Sequence, residues 1–147
     1  MIQRIQTIYI FFAAVLVALL LKLDFAELAV EGQLYVFNAN GIISDGQILF
    51  DGLPVMGFIG LITLLHLVII FLYKKRIRQI RFLSFTILLL LGLVGVMFYF
   101  LYAAFDGAEI VFKIPIVFPV LAVILDYLAI RGIGKDEALI RSLNRIR

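Results

Sequence analysis

Four apolar runs constrain this chain more than any other feature. Ile5–Leu21, Leu53–Tyr73, Phe82–Phe105 and Ile114–Ile130 are 17, 21, 24 and 17 residues long and take up 79 of its 147 residues. A helix rises about 1.5 Å per residue and the hydrocarbon core of a bilayer is about 30 Å thick, so runs of this length are membrane-length sequence. The rest of the composition agrees: 65% of residues are hydrophobic, 16% are charged, and the mean hydropathy is +1.17. Soluble domains hold about 45–50% apolar and about 25% charged residues. The expected fold is an all-α membrane protein, one domain over 1–147. It is a bundle of four transmembrane helices over approximately 5–23, 53–73, 82–105 and 114–130. Arg4 ahead of the first run resembles the start of a signal peptide. The following Lys22-Leu23-Asp24-Phe25-Ala26-Glu27 lacks an A-x-A-like cleavage site, so an uncleaved first helix is expected.

Charge sorts by loop. Eleven of the thirteen basic residues lie on one side of the spans: Arg4, then Lys74, Lys75, Arg76, Arg78 and Arg81 in the 74–81 loop, then Arg131, Lys135, Arg141, Arg145 and Arg147 in the 131–147 tail. The other side holds Lys22 and Lys113 against seven acids, among them Asp24, Glu27 and Asp51. The positive-inside rule then predicts cytoplasmic termini, a cytoplasmic 74–81 loop and an extracytoplasmic 24–52 loop. Tyr73, Tyr99 and Tyr102 fall near span ends, where aromatic rings suit the interface.

Residues 24–52 do not read as a linker. Phe25 to Val30, Gln33 to Phe37 and Gln47 to Phe50 are short apolar or alternating runs, divided by Glu31-Gly32, Asn40-Gly41 and Asp45-Gly46. Those dipeptides tolerate positive φ, so a small extracytoplasmic β-hairpin or meander is expected, to which Glu109–Phe112 can add a strand. Ala14 and Ala18, Gly57 and Gly60, and Gly92 and Gly95 predict small helix faces, packed within the bundle or at a homodimer seam. Pro119 predicts a bend in the fourth span.

Composition excludes several chemistries. There is no cysteine, so thiolate metal sites, iron–sulfur clusters and cysteine nucleophiles are out. The single histidine, His66, cannot build a multi-histidine metal or haem site in one subunit. No metal and no cofactor are expected. The net charge of +3 comes from residues flanking apolar runs, which is a topology signal rather than a nucleic-acid footprint. H-E-x-x-H, G-x-S-x-G, a Walker loop and G-x-G-x-x-G are all missing, so an enzyme is not expected.

Two places carry residues with chemical interest. Asp126 is the one acid inside a run, about 7.5 Å deep by its five-residue distance from Arg131, and His66 lies about 12 Å deep by its distance from Lys74. An Asp126–His66 contact between spans two and four is therefore within reach, as a proton or ion site or as a hydrogen bond that fixes helix register. The second place is the 131–147 tail. Leu139, Ile140, Leu143 and Ile146 recur at helical spacing opposite Glu137, Arg141 and Arg145. A short cytoplasmic amphipathic helix after a Gly132/Gly134 hinge is expected, touching lipid headgroups or a partner. Lys74, Lys75, Arg76, Arg78, Arg81, Arg141 and Arg145 are the candidate contact residues.

The opening Met1-Ile2-Gln3-Arg4-Ile5-Gln6-Thr7 and the ending Lys135-Asp136-Glu137-Ala138-Leu139-Ile140-Arg141-Ser142 resemble a domain-of-unknown-function family of small four-span inner-membrane proteins of Bacteroidota. The resemblance implies the bacterial inner membrane and carries no activity. In that family asparagine often stands where this chain has Asp126, which implies that charge there is not a shared requirement. The expected function is that of a non-enzymatic accessory, assembly or scaffold subunit, with the bilayer and a membrane protein as partners. The rival expectation is a small transporter or channel subunit using Asp126 and His66.

Overall fold

A computed structural model of the chain describes residues 3–30, 32–104 and 107–144. Its order is α1 (Gln3–Leu19), β1 (Ala26–Val30), β2 (Gln33–Asn38), β3 (Gly41–Ser44), β4 (Gln47–Asp51), α2 (Leu53–Phe71), a 3-10 turn (Leu72–Lys74), α3 (Arg76–Ala103), β5 (Glu109–Phe112), a second 3-10 turn (Ile114–Val117) and α4 (Phe118–Asn144). The all-α expectation is overturned: beside the four helices stands a five-stranded antiparallel sheet in the order β4-β3-β2-β1-β5. Within it β1 to β4 form the expected meander, and β5 is the strand expected at Glu109–Phe112; the element not expected is β3. Ile42 and Ile43 form a strand of their own, and β5 arrives from the distant loop to pair along β1, Leu28 opposite Ile110.

Local chemistry explains the sheet. Asp45 at φ 49 and Gly46 at φ 78 make the two-residue turn that joins Ser44 to Gln47, both residues having the left-handed backbone that a primed hairpin turn requires. Asn38 Oδ1 accepts the backbone N–H of Asn40 at 2.9 Å and closes the β2–β3 turn. Phe25 and Phe37 are fully buried, with ring centroids 5.2 Å apart and edge-on. Phe37 stacks on Phe100 of α3 at 5.9 Å, which seats the sheet on the helix ends. Full burial of such a ring contributes about 1.5–3 kcal/mol.

Three stretches, Leu53–Lys74, Arg76–Ala103 and Ile114–Ile140, are long and apolar enough to cross a membrane, and the protein is a membrane protein on that ground; α1 is shorter. Each helix packs on two neighbours, α1 on α2 and α4, α3 on α2 and α4. Buried residues recur at alternating steps of four and three: Val55, Ile59, Ile62, His66 and Ile69 on α2, and Gln79, Leu83, Thr86, Leu90, Leu93 and Met97 on α3. That is the seam of helices packed at a shallow angle, knobs into holes.

Three expectations about the helices are corrected. The basic 74–81 loop is not a loop, because α3 begins at Arg76; arginine, glutamine and isoleucine are adequate helix formers and continue the span's own periodicity. The tail is not a separate helix after a hinge, because α4 runs unbroken to Asn144. Gly132 is there for space: a Cβ on it would meet the Gln6 side chain of α1 at 3.0 Å. Within the chain Gly57, Gly60 and Gly95 make no close helix contacts, since a Cβ on any of them would meet nothing within 4 Å, whereas one on Gly92 would meet the Phe58 ring of α2 at 3.3 Å. Pro119 sits in the first turn of α4, where its missing N–H has no partner to lose. Arg145, Ile146 and Arg147 lie outside the described residues, as do Glu31, Phe105 and Asp106.

Lys113, just after β5, reaches across to the start of β1, its Nζ 2.7 Å from Glu27 Oε1 and 3.4 Å from Asp24 Oδ2. The hydrogen bond to Glu27, helped by the two negative charges against a smaller desolvation effect, holds its ammonium above the usual 10.5. A cation with a raised value stabilises the fold fully below its unfolded pKa and loses that contribution as pH climbs through the raised one. The stability difference between wild type and Lys113→Met is therefore expected to be constant through neutral pH and to shrink only above 10.5, read from melting curves taken across alkaline pH. A difference that faded between pH 6 and 8 would contradict this assignment.

Candidate functional site

Between two apolar clusters lies a polar layer. One cluster, on the sheet side, includes Val17, Phe25, Ile62, Leu90 and Ala122; the other includes Ile10, Ile69, Leu83, Ala129 and Ile133. His66, Thr86 and Asp126 occupy the seam positions between them on α2, α3 and α4, each with no solvent exposure. His66 Nε2 stands 3.1 Å from both oxygens of Asp126. His66 Nδ1 is 2.9 Å from the Ile62 carbonyl one turn back, and the Thr86 hydroxyl is 2.8 Å from the Leu83 carbonyl and 3.2 Å from Asp126 Oδ2.

The acceptors decide most of the proton placement. A carbonyl oxygen can only accept, so Nδ1 carries a hydrogen. One further proton then serves both Nε2 and the carboxyl group, giving either an imidazolium–carboxylate pair or a neutral pair. Both forms have zero net charge and leave no polar atom of the pair without a partner, and this is the condition under which such groups tolerate an apolar interior. The layer ties three helices in one register. The depth estimates from sequence placed His66 and Asp126 near one another; Thr86 was missed as their third member, although its place three residues after Leu83 and four before Leu90 is the seam spacing.

A second polar layer sits nearer the chain ends. Gln6 Nε2 donates to Asp136 Oδ2 at 2.8 Å, joining α1 to α4, and Gln79 Nε2 donates to the Ile69 carbonyl at 3.2 Å, joining α3 to the end of α2. Neither contact was foreseen. Sequence reading treated Gln79 as part of a loop and Asp136 as part of a separate helix.

The basic candidates gather where α2 turns into α3. Lys74, Lys75, Arg76 and Arg78 line a cavity of about 590 Å³ together with Glu137 and Ile140 of α4. Arg81 lies one turn further along α3, in a neighbouring cavity of about 450 Å³ that it shares with Arg78, Phe82 and Phe85. The side chain of Arg141 and all of Arg145 lie outside the described residues. Among the described residues no group of three or more histidines or acids is placed to hold a metal ion.

At the other end, β4 is an edge strand whose five residues are all exposed, including Ile48 at 59% and Leu49 at 50%. A bulge interrupts its pairing with β3 next to Ile42 and Ile43. Phe50 lines a cavity of about 120 Å³ with Tyr99, Phe100 and Ala103 of α3 and Ala104 just after it, so a notch opens where the edge strand meets the helices.

No curated protein and no solved structure matches the chain. A family model does match, over residues 2–146, and its extent agrees with one continuous unit of helices and sheet: the chain belongs to the family described as a domain of unknown function, DUF4293.

Proposed function

We propose that the protein is a non-enzymatic accessory or scaffold subunit of a larger membrane complex, docking an extended segment of a partner protein along β4. The carrying observation is the edge itself. Five exposed residues, three of them large and apolar, run along unpaired backbone on a sheet seated firmly on the helix ends. A free apolar edge invites indiscriminate pairing, and proteins ordinarily blunt it with charge or proline. Here the bulge and Asp51 at the end of the strand leave Ile48, Leu49 and Phe50 uncovered, and the adjacent notch beside Phe50 can take a side chain from an added strand. The reading includes four membrane crossings, the turn at Leu20–Lys22 lengthening α1. It also includes the bacterial inner membrane, which the resemblance of the two chain ends implies, and cytoplasmic termini with a periplasmic sheet, which the charge asymmetry of the loops supports.

The test is quantitative identification of proteins that co-purify from gently solubilised membranes. A stoichiometric companion is expected with wild type and with Leu88→Ala, which alters an outward helix face, and its recovery is expected to fall at least about tenfold with Leu49→Lys, as a loss of about 1.4 kcal/mol or more implies. A monodisperse protein with no companion, or a companion indifferent to Leu49→Lys, would remove the support for this reading.

The contact between His66 and Asp126 favours one second reading, a small transporter or channel subunit with an intramembrane proton site. Reconstituted vesicles would then show a pH-dependent flux that Asp126→Asn abolishes.

A further inference from the structure

The junction of α2 and α3 is electrostatically incomplete. Lys75 caps α3 and Arg76, Ile77 and Arg78 form its first turn, with no acid in that turn and no side-chain bond to its free amides. A helix N-terminus already carries about half a positive charge, so cations there raise the energy of the helix and an anion lowers it. Lys74, Lys75, Arg76 and Arg78 surround one cavity, to which α4 contributes one acid among the described residues, Glu137. Arg76 Nη1 is buried without a hydrogen-bond partner. A buried donor on a cation that lacks an acceptor is costly, and native proteins leave few of them.

Beyond the charge, the shape extends along the helix. Arg78 belongs both to this cavity and to the neighbouring one, where Arg81 lies beside Phe82 and Phe85. Residues 78, 81, 82 and 85 share one face of α3 by their spacing of three and four. Phe85 is 50% exposed on a membrane-length helix, so that face passes from cations to bare aromatic surface. A free anion would fill the first part and leave the second empty. A molecule with a phosphate at one end and an acyl chain at the other fits both.

We propose that the α2–α3 junction is a binding site for an anionic phospholipid, its phosphate held by Arg76, Arg78 and the first-turn amides of α3 and one acyl chain lying on Phe82 and Phe85. The shared chemistry is a phosphate oxyanion; the committed source is the lipid. The site belongs to the leaflet where the junction lies and does not depend on the partner reading above.

The test uses the full-length protein, stripped of lipid in a neutral detergent, with melting temperature as the readout. Phosphatidylglycerol added to saturation is expected to raise Tm by about 5–10 °C, the shift that ligand at about a hundred times Kd gives a domain of this size. Phosphatidylcholine and millimolar inorganic phosphate are expected to leave Tm unchanged. Arg76→Gln and Arg78→Gln should each remove most of the shift, and Arg131→Gln, an exposed cation that lines neither cavity, should keep it. Because removing cations from a helix N-terminus does not weaken the fold, the lipid-free Tm of both variants is expected to stay at or above wild type. A shift produced by inorganic phosphate alone, a shift lost equally with Arg131→Gln, or no shift with phosphatidylglycerol would each overturn the proposal.

Discussion

His66→Leu and Asp126→Leu, made singly, are each expected to destabilise the protein by about 1–3 kcal/mol, while Asp126→Asn is expected to change stability by less than about 1 kcal/mol. Two limits bracket the first number. Breaking a buried ion pair in a water-soluble protein costs about 3–5 kcal/mol, because an uncompensated charge remains. Hydrogen bonds between membrane helices average only about 0.6 kcal/mol, because the separated helices also find partners in the membrane. His66→Leu falls between them, because Asp126 loses His66 but keeps Thr86 as a partner. Asparagine at 126 reproduces the neutral arrangement, its amide donating to Nε2 and its carbonyl accepting from Thr86. The double variant His66→Leu/Asp126→Leu should be less destabilised than the sum of the singles, by a coupling of about 0.5–3 kcal/mol, since it leaves neither group stranded. Unfolding in detergent by a graded denaturant measures all four. Additive singles would mean that the layer does not act as one network. Asp126→Asn also divides the functional readings, since a register clamp tolerates it and a proton site does not.

How much of this was legible beforehand follows from the kind of signal each element leaves. The apolar stretches of α2, α3 and α4 are long, and length on that scale is read directly. His66 and Asp126 were placed near one another because helical rise converts chain distance from a basic boundary into depth. The sheet was under-read because its strands are four to six residues long, and a run such as Gly41–Ser44 is too short to show a period. Strand β5 was legible as the run Glu109–Phe112, but its place along β1, across some 80 residues of chain, is a contact that no local pattern encodes. The glycines misled in both directions. Gly132 and Gly134 looked like a hinge and lie inside α4, while Gly57 and Gly60 looked like a contact face and point away from their neighbours. A glycine's role depends on what stands opposite, and the sequence of its own segment does not contain that.

Gly41 and Gly52 are the positions where what stands opposite is backbone, and Gly41→Ala or Gly52→Ala should be the most damaging alanine substitutions in the sheet, costing about 3 kcal/mol or more. Gly41 opens β3 and Gly52 caps α2, and Gly52 N–H donates to the Asn40 carbonyl at 2.9 Å. A Cβ on Gly41 would collide with the Phe50 carbonyl oxygen, and one on Gly52 with the Gly41 nitrogen and the Ala39 carbonyl oxygen. Neither obstacle is a side chain that can rotate away. The crossing can open only by separating β3 from β4, or the sheet from the start of α2. Gly41 has φ +119 as well, so strain adds to the clash there, whereas Gly52 at φ −84 isolates the clash alone. Gly46→Ala is the control: it carries the same kind of backbone strain, at φ +78, with nothing within 4 Å of the new methyl, and should cost only about 1 kcal/mol. Protease sensitivity of residues 24–52, measured on the three variants in intact membranes or micelles, reads the outcome where the strain acts. Rapid cleavage is expected for Gly41→Ala and Gly52→Ala and near-wild-type resistance for Gly46→Ala, with the helices protected in all three. If Gly46→Ala proved as sensitive as Gly52→Ala, backbone conformation and not close approach would set the value of these glycines. The sheet would then be joined to α2 less rigidly than a docking edge at β4 requires.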